Sequence, residues 1–121
     1  MADTLQDFTG TTVLVCDADG AAITSEQDAL DLIGSTMFTG AEWIALPVSR
    51  LPDAFFDLRT RLAGEVAQKF VNYRLGLAVI GDIAHHAAAS TALADFVRET
   101  NKGPHLWFLD SIETFGTRLA A

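Results

Sequence analysis

Residues 52–82 read PDAFFDLRTRLAGEVAQKFVNYRLGLAVIGD. At 100° per residue, Phe55, Phe56, Leu62, Ala63, Val66, Phe70 and Tyr73 fall within about one-third of a helical wheel. The spacing predicts one long amphipathic helix, capped by Asp53 and running through Arg74. Arg59 falls inside the apolar arc and is expected to pack its stem while its head stays solvated. The segment that follows, LGLAVI at Leu75–Ile80, shows no alternation of apolar and polar residues. An unbroken apolar run of that length predicts a strand covered on both faces. A helix feeding such a strand predicts the α/β class.

The flanking sequence repeats the pattern. Thr11–Asp17 (TTVLVCD) reads as a first strand, and Asp19-Gly20 as a tight turn. Ala21–Ile23 is expected to return as a short second strand, giving an antiparallel hairpin. Thr24 with Gln27, or Ser25 with Asp28, has capping-box spacing. The helix they open carries Ala29, Leu30, Leu32, Ile33 and Met37 on its apolar face and ends near Gly40. Glu42–Pro47 reads as a strand. Ala84–Ser90 (AHHAAAS) is expected to lie in a loop, and Ser90 to cap a helix reaching Asn101. Gly103-Pro104 stops that helix. His105–Leu109 is the last strand, and a helix over Ile112–Leu119 ends the pattern. The expected order is β-β-α-β-α-β-α-β-α. It predicts a mixed central sheet of four to five strands with about four helices, in a single α/β domain over residues 1–121. Residues 1–10 are expected to form a flexible N-terminal arm, with Phe8 free to dock on the domain or a second subunit.

With 121 residues, half of them hydrophobic, the chain can bury a sizeable core without staples. Sixteen acidic against eight basic residues leave a net charge of −8, which repels a phosphate backbone. Nucleic acid is therefore not an expected partner. The one cysteine, Cys16, excludes an intrachain disulfide and reads as a small buried hydrophobe. The N-terminus lacks the pattern of a signal peptide, and no apolar run is long enough to span a bilayer. The expectation is a cytoplasmic protein with no membrane partner. Walker A, G-x-G-x-x-G and G-x-S-x-G patterns are absent. No catalytic residue, cofactor or metal is assigned.

Three blocks carry a resemblance: FFDLRTRLAGEVAQKFVNY at Phe55–Tyr73, AVIGD at Ala78–Asp82, and DFVRETNKG at Asp95–Gly103. On them the chain resembles the bacterial domain of unknown function 4180 family, a resemblance covering nearly all of its length and implying no activity. Its element order is also similar to the STAS domain, the fold of anti-sigma-factor antagonists. That likeness implies a regulatory, protein-binding role. In those antagonists a phosphoacceptor serine follows an aspartate at the start of the second helix. The comparable run here is Asp57-Leu58-Arg59-Thr60, where only Thr60 can accept phosphate, displaced by a residue or two.

Two surfaces are candidates for function. Asp57, Arg61, Glu65, Gln68 and Asn72 recur at three- and four-residue steps on the outer side of the long helix. Gly64 beside them would let another surface approach. This stripe is the candidate docking face for another protein. It also reads as an ordinary solvated face, with Glu65 and Lys69 as an i,i+4 ion pair. The second candidate is a ligand pocket at the carboxyl ends of the parallel strands, formed by Arg50, Asp82, His85 and Ser90. A small molecule or anion would bind there. A homo-oligomer through an exposed sheet edge is a further possibility. Trp43, Trp107 and Phe108 are expected in the core.

Overall fold

The computed structural model describes residues 3–121; Met1 and Ala2, the first residues of the expected arm, lie outside the described residues. One sheet orders the rest. Its strands are β1 (Thr4–Phe8), β2 (Thr11–Val15), β3 (Trp43–Pro47), β4 (Gly76–Ile80) and β5 (Leu106–Leu109), lying side by side in chain order. β1 pairs antiparallel with β2, and every other pair is parallel. Six helices connect or flank them: α1 (Glu26–Gly34), α2 (Asp53–Phe56), α3 (Leu62–Asn72), α4 (Ala84–Ala89), α5 (Thr91–Asn101) and α6 (Ile112–Ala120). The mixed α/β sheet is the expected one, with two more helices than anticipated.

The hairpin is not where the turn signal put it. Ala21–Ile23 forms no strand; the segment expected as an arm supplies edge strand β1 instead. The reason lies at Thr9-Gly10, where both residues have positive φ (+51° and +92°). That twist suits a two-residue hairpin loop. Ile23 is buried, and its N–H donates to the Arg50 carbonyl at 2.8 Å.

The expected helix over Asp53–Arg74 is also broken. α2 stops after four residues, a 3₁₀ turn occupies Leu58–Thr60, and Arg61 sits in the left-handed region at φ +66° before α3 begins. Local side-chain bonds compete with the helix here. The Asp57 carboxylate accepts the Arg59 N–H at 3.1 Å, and the Thr60 hydroxyl reaches the carbonyls of Ala54 (2.6 Å) and Asp57 (2.8 Å). The sheet survives the break. Phe55, Phe56, Leu62, Ala63, Val66 and Phe70 are all buried, and β4 lies inside the sheet between β3 and β5. Only Tyr73, at the end of α3, leaves the expected arc and is half exposed. Arg59 is not packed in an apolar arc either: it projects from the 3₁₀ turn with a side chain 91 % exposed.

Alternate strand residues serve two cores. Leu14, Ile44, Leu46, Leu77, Val79, Leu106 and Phe108 face α1, α2, α3 and α5. Val13, Trp43, Ala45, Ala78 and Trp107 face the opposite way, where Phe115 of α6 is the one fully buried helix residue. Trp43 lies across Gly76, its register partner on β4. A Cβ at Gly76 would overlap that indole, so glycine there permits the close stack of Trp43 on Trp107 (4.2 Å between ring centroids). Phe8, at the end of β1, packs on Phe115.

α1 starts as its sequence predicts. Ser25 Oγ accepts the Asp28 N–H, while the Asp28 carboxylate accepts from both the N–H and hydroxyl of Thr24. These bonds hold the Asp28 carboxyl below its ordinary range, the Thr24 N–H contributing most.

Candidate functional site

The outer face of α3 presents five residues of the candidate docking stripe. Arg61, Gly64, Glu65, Gln68 and Asn72 are all exposed. Gln68 Nε2 donates to Asn72 Oδ1 at 2.9 Å, fixing both amides. Beside Gly64 lies a hollow of about 470 Å³, which Leu58 and Phe96 line from the 3₁₀ turn and from α5. Glu26, Arg61, Glu65, Gln68 and Lys69 complete its lining. The expected Glu65–Lys69 pair does not form. Lys69 Nζ instead reaches Glu26 Oε2 on α1 at 3.1 Å, because α1 and α3 pack side by side. A side chain at Gly64 would meet nothing within 4 Å.

Asp57 is not part of this face. It caps the 3₁₀ turn and lines a second, larger hollow of about 730 Å³ with Asp53, Phe56, Arg59, His85, His86 and Ser90. Both Asp57 oxygens hold Arg59, at 3.0 Å to Nε and 3.0 Å to Nη2. That pairing pulls the Asp57 carboxyl below its usual range and pushes the guanidinium up. The histidine pair is on a helix, not in an extended loop: Ala84–Ala89 is α4. His86 stacks on Phe56 with ring centroids 4.2 Å apart and planes 11° apart, and the His85 ring lies 3.9 Å from His86. Ser90 Oγ caps α5 by accepting the Leu93 N–H at 3.1 Å.

The four residues expected to share a strand-end pocket are therefore spread over three hollows. His85 and Ser90 stand together. Asp82 lines a separate depression with Val97, Phe108 and Asp110, and its carboxylate accepts the Ala84 N–H at 2.8 Å to start α4. Arg50 lies in a third, beside Ile23 and Asp28. It is buried, donating from Nε to the Ala21 carbonyl at 2.9 Å and from Nη1 to Asp3 Oδ1 and the Asp17 carbonyl, each at 3.3 Å. Its role is to tie three segments together.

Thr60 precedes α3 rather than lying within its first turn. Its oxygen also accepts the Leu62 N–H at 3.3 Å, so the hydroxyl is engaged on both sides. Among the described residues, no three His, Cys, Asp or Glu side chains are grouped to hold a metal. No helix of these residues is long and apolar enough to cross a membrane.

Cys16 is buried next to the Arg50 cluster. Burial first, and then the negative charge of Asp3, push its thiol from an ordinary 9.0 to about 12. The native thiol is protonated at neutral pH and should ignore an alkylating reagent that modifies the unfolded chain quickly. The sign of its pH dependence follows. Above about pH 9 the unfolded chain ionises this thiol and the folded chain does not, so its contribution to stability is lost between 9 and about 12. Denaturant melts across that window should show the loss, and Cys16→Ala should remove it.

Two contributors to these surfaces carry no motif. Leu58 sits within a run that reads as helix but lies in the 3₁₀ turn before Arg61, and Phe96 sits within a face that reads as core; both line the hollow beside Gly64. The helix at Ala84–Ala89 did carry a signal, since four of its six residues are alanine, the strongest helix former.

A family model described as Domain of unknown function (DUF4180) matches residues 8–119. No curated protein and no solved structure matches the chain.

Proposed function

The chain belongs to the DUF4180 family, a description that assigns no activity, and we propose that it is a non-catalytic regulatory domain that binds another protein through the outer face of α3. One observation carries this reading. Gly64 stands in the first turn of an eleven-residue helix, exposed, with no neighbour within 4 Å of where a Cβ would sit. Glycine in a helix costs up to about 1 kcal/mol relative to alanine. No contact among the described residues requires glycine at this position, whereas a partner surface lying close against α3 would. The adjoining Leu58 and Phe96 offer an apolar seat, and Arg61 and Glu65, neither of them in an ion pair among the described residues, flank it. The element order similar to STAS antagonists supports a partner-binding role of the same kind.

The test is capture from a cell extract followed by binding with purified components. Wild-type bait should retain a protein that Gly64→Arg and Gln68→Arg baits lose. Gly64→Ala should be more stable than wild type, by up to about 1 kcal/mol, and Gly64→Arg should be no less stable. Equal recovery on all three baits would contradict the proposal.

The second reading, a small-molecule or anion site, is favoured by the hollow around His85. There the side chains of His85, His86 and Asp53 have no hydrogen-bond partner among the described residues, and Ser90 retains a hydroxyl proton to donate. A ligand stabilises the state it binds, so a thermal-shift screen of metabolites and anions reads this out. A shift that vanishes in His85→Ala and Ser90→Ala would favour the second reading over the first.

A further inference from the structure

The turn after α1 holds the most exposed large apolar side chain among the described residues. Phe38 is fully exposed and its backbone lies in the left-handed region at φ +67°. A bulky aromatic rarely adopts that conformation, and it costs of the order of 1 kcal/mol or more. Yet the turn is well held: Thr36 N–H donates to the Ile33 carbonyl at 3.0 Å, and Thr39 N–H to the Thr36 carbonyl at 3.1 Å. The chain thus spends backbone strain to present an aromatic ring to solvent.

Phe38 does not stand alone. α1 and α3 each follow a parallel strand and pack on one another, so both end at the amino edge of the sheet. Met37 beside Phe38, and Val71 and Tyr73 at the end of α3, are each more than a third exposed, and the topology brings these chain positions to that edge. Glu42 and Arg74 belong to the same edge, where the Gly76 N–H bonds the Glu42 carbonyl at 2.9 Å and ties together the chains entering β3 and β4. Both charged residues are exposed, and neither has an ion-pair partner among the described residues. This edge therefore combines exposed apolar side chains with Arg74 and Glu42, a cation and an anion that are both without an ion-pair partner among the described residues.

We propose that this edge is the interface of a homodimer, in which a second copy related by a two-fold axis packs its Phe38 and Tyr73 against those of the first. A two-fold contact sets the same patch against itself, so every group must meet a complement that the patch already contains. This one contains both signs of charge: Arg74 of each copy faces Glu42 of the other. A partner carrying a single sign of charge would leave one of the two unpaired. The dimer leaves the start of α3 around Gly64 open and meets the docking face proposed above only at the far end of the helix, at Val71–Tyr73.

The test is sedimentation over a concentration series extending into the high micromolar range. Wild type should convert from monomer to dimer. Phe38→Asn should stay monomeric throughout, and it should melt no lower than wild type, because asparagine tolerates the left-handed conformation. Arg74→Glu and Glu42→Arg should each weaken dimerisation about tenfold or more, and the double exchange Arg74→Glu/Glu42→Arg should restore it, since the swapped charges again face each other across the axis. A wild type that stays monomeric, a dimer indifferent to Phe38→Asn, or a double exchange no better than its single parents would each overturn the proposal.

Discussion

Phe115→Ala is expected to lower stability by about 3–5 kcal/mol, the cost of removing a fully buried phenyl ring. The site has little freedom to collapse. Phe115 is completely buried, and its ring centroid lies 5.5 Å from Trp43, 6.1 Å from Trp107 and 5.7 Å from Phe8. Those partners come from β3, β5 and β1, so one side chain holds α6 across the sheet. The other ties of α6 are at its ends: Ser111 caps it by accepting the Thr114 N–H, and Arg118 lies over the Trp107 ring while donating to the Asn101 carbonyl. A loss of that size should lower the melting temperature by roughly 10–20 °C for a chain of this length. Phe115→Leu, which keeps most of the volume, should recover more than half. Near-wild-type melting of Phe115→Ala would mean that α6 does not form the second core.

Arg50→Ala is expected to cost about 3 kcal/mol by a different route. The guanidinium sits between the loop after β2 and the start of β1, 7 % exposed at the side chain, and bonds Asp3 together with the carbonyls of Asp17 and Ala21. Its removal leaves two carbonyls and one carboxylate oxygen without that donor. Asp3 Oδ1 also accepts the Asp17 N–H at 2.9 Å, so the same cluster fixes the chain entering β1. The local consequence separates this role from simple packing. Amide hydrogen exchange should quicken in Thr4–Phe8 more than in β4. Asp3→Ala should do the same at about a third of the cost, because Asp3 is partly exposed. Arg50→Lys should not rescue, since a single ammonium cannot match the planar fork that reaches both carbonyls. Unchanged exchange in β1 would show that Arg50 does not anchor the N-terminal strand.

The parallel part of the fold was legible because burial on both faces leaves a plain mark. LGLAVI and HLWFL became β4 and β5 within one residue of the expected limits, Ser25, one of two expected caps, opens α1, and Ser90 caps α5 as expected. β1 was not legible. Thr4–Phe8 is an edge strand with four exposed residues, so it carries no burial pattern, and Asp19-Gly20 offered a stronger turn signal than Thr9-Gly10. The break at Arg61 was hidden for a related reason. Phe55, Phe56 and Leu62 keep the helical arc even though the backbone between them leaves the helix, and the bonds of Asp57 and Thr60 that cause the break have no periodicity.

The stripe was legible at Gly64, Glu65, Gln68 and Asn72 because these lie within one unbroken helix, with Arg61 exposed just before it. Asp57 was lost from it, being on the far side of the break. The strand-end pocket was less legible: Arg50, Asp82 and His85 follow different strands, and nothing in their spacing reports which hollow each enters. The strained turn at Phe38 is invisible in sequence, since an exposed and a buried phenylalanine read alike.

The docking face is tested most directly by hydrogen exchange of the chain alone and in complex with the protein it retains. Added protection should fall on Arg61–Asn72 and on Phe96, leaving Ala84–Ala89 and the Phe38 turn unchanged, and Gly64→Arg should abolish it. Protection confined to α4 and Ser90, with Gly64→Arg binding as tightly as wild type, would contradict the account.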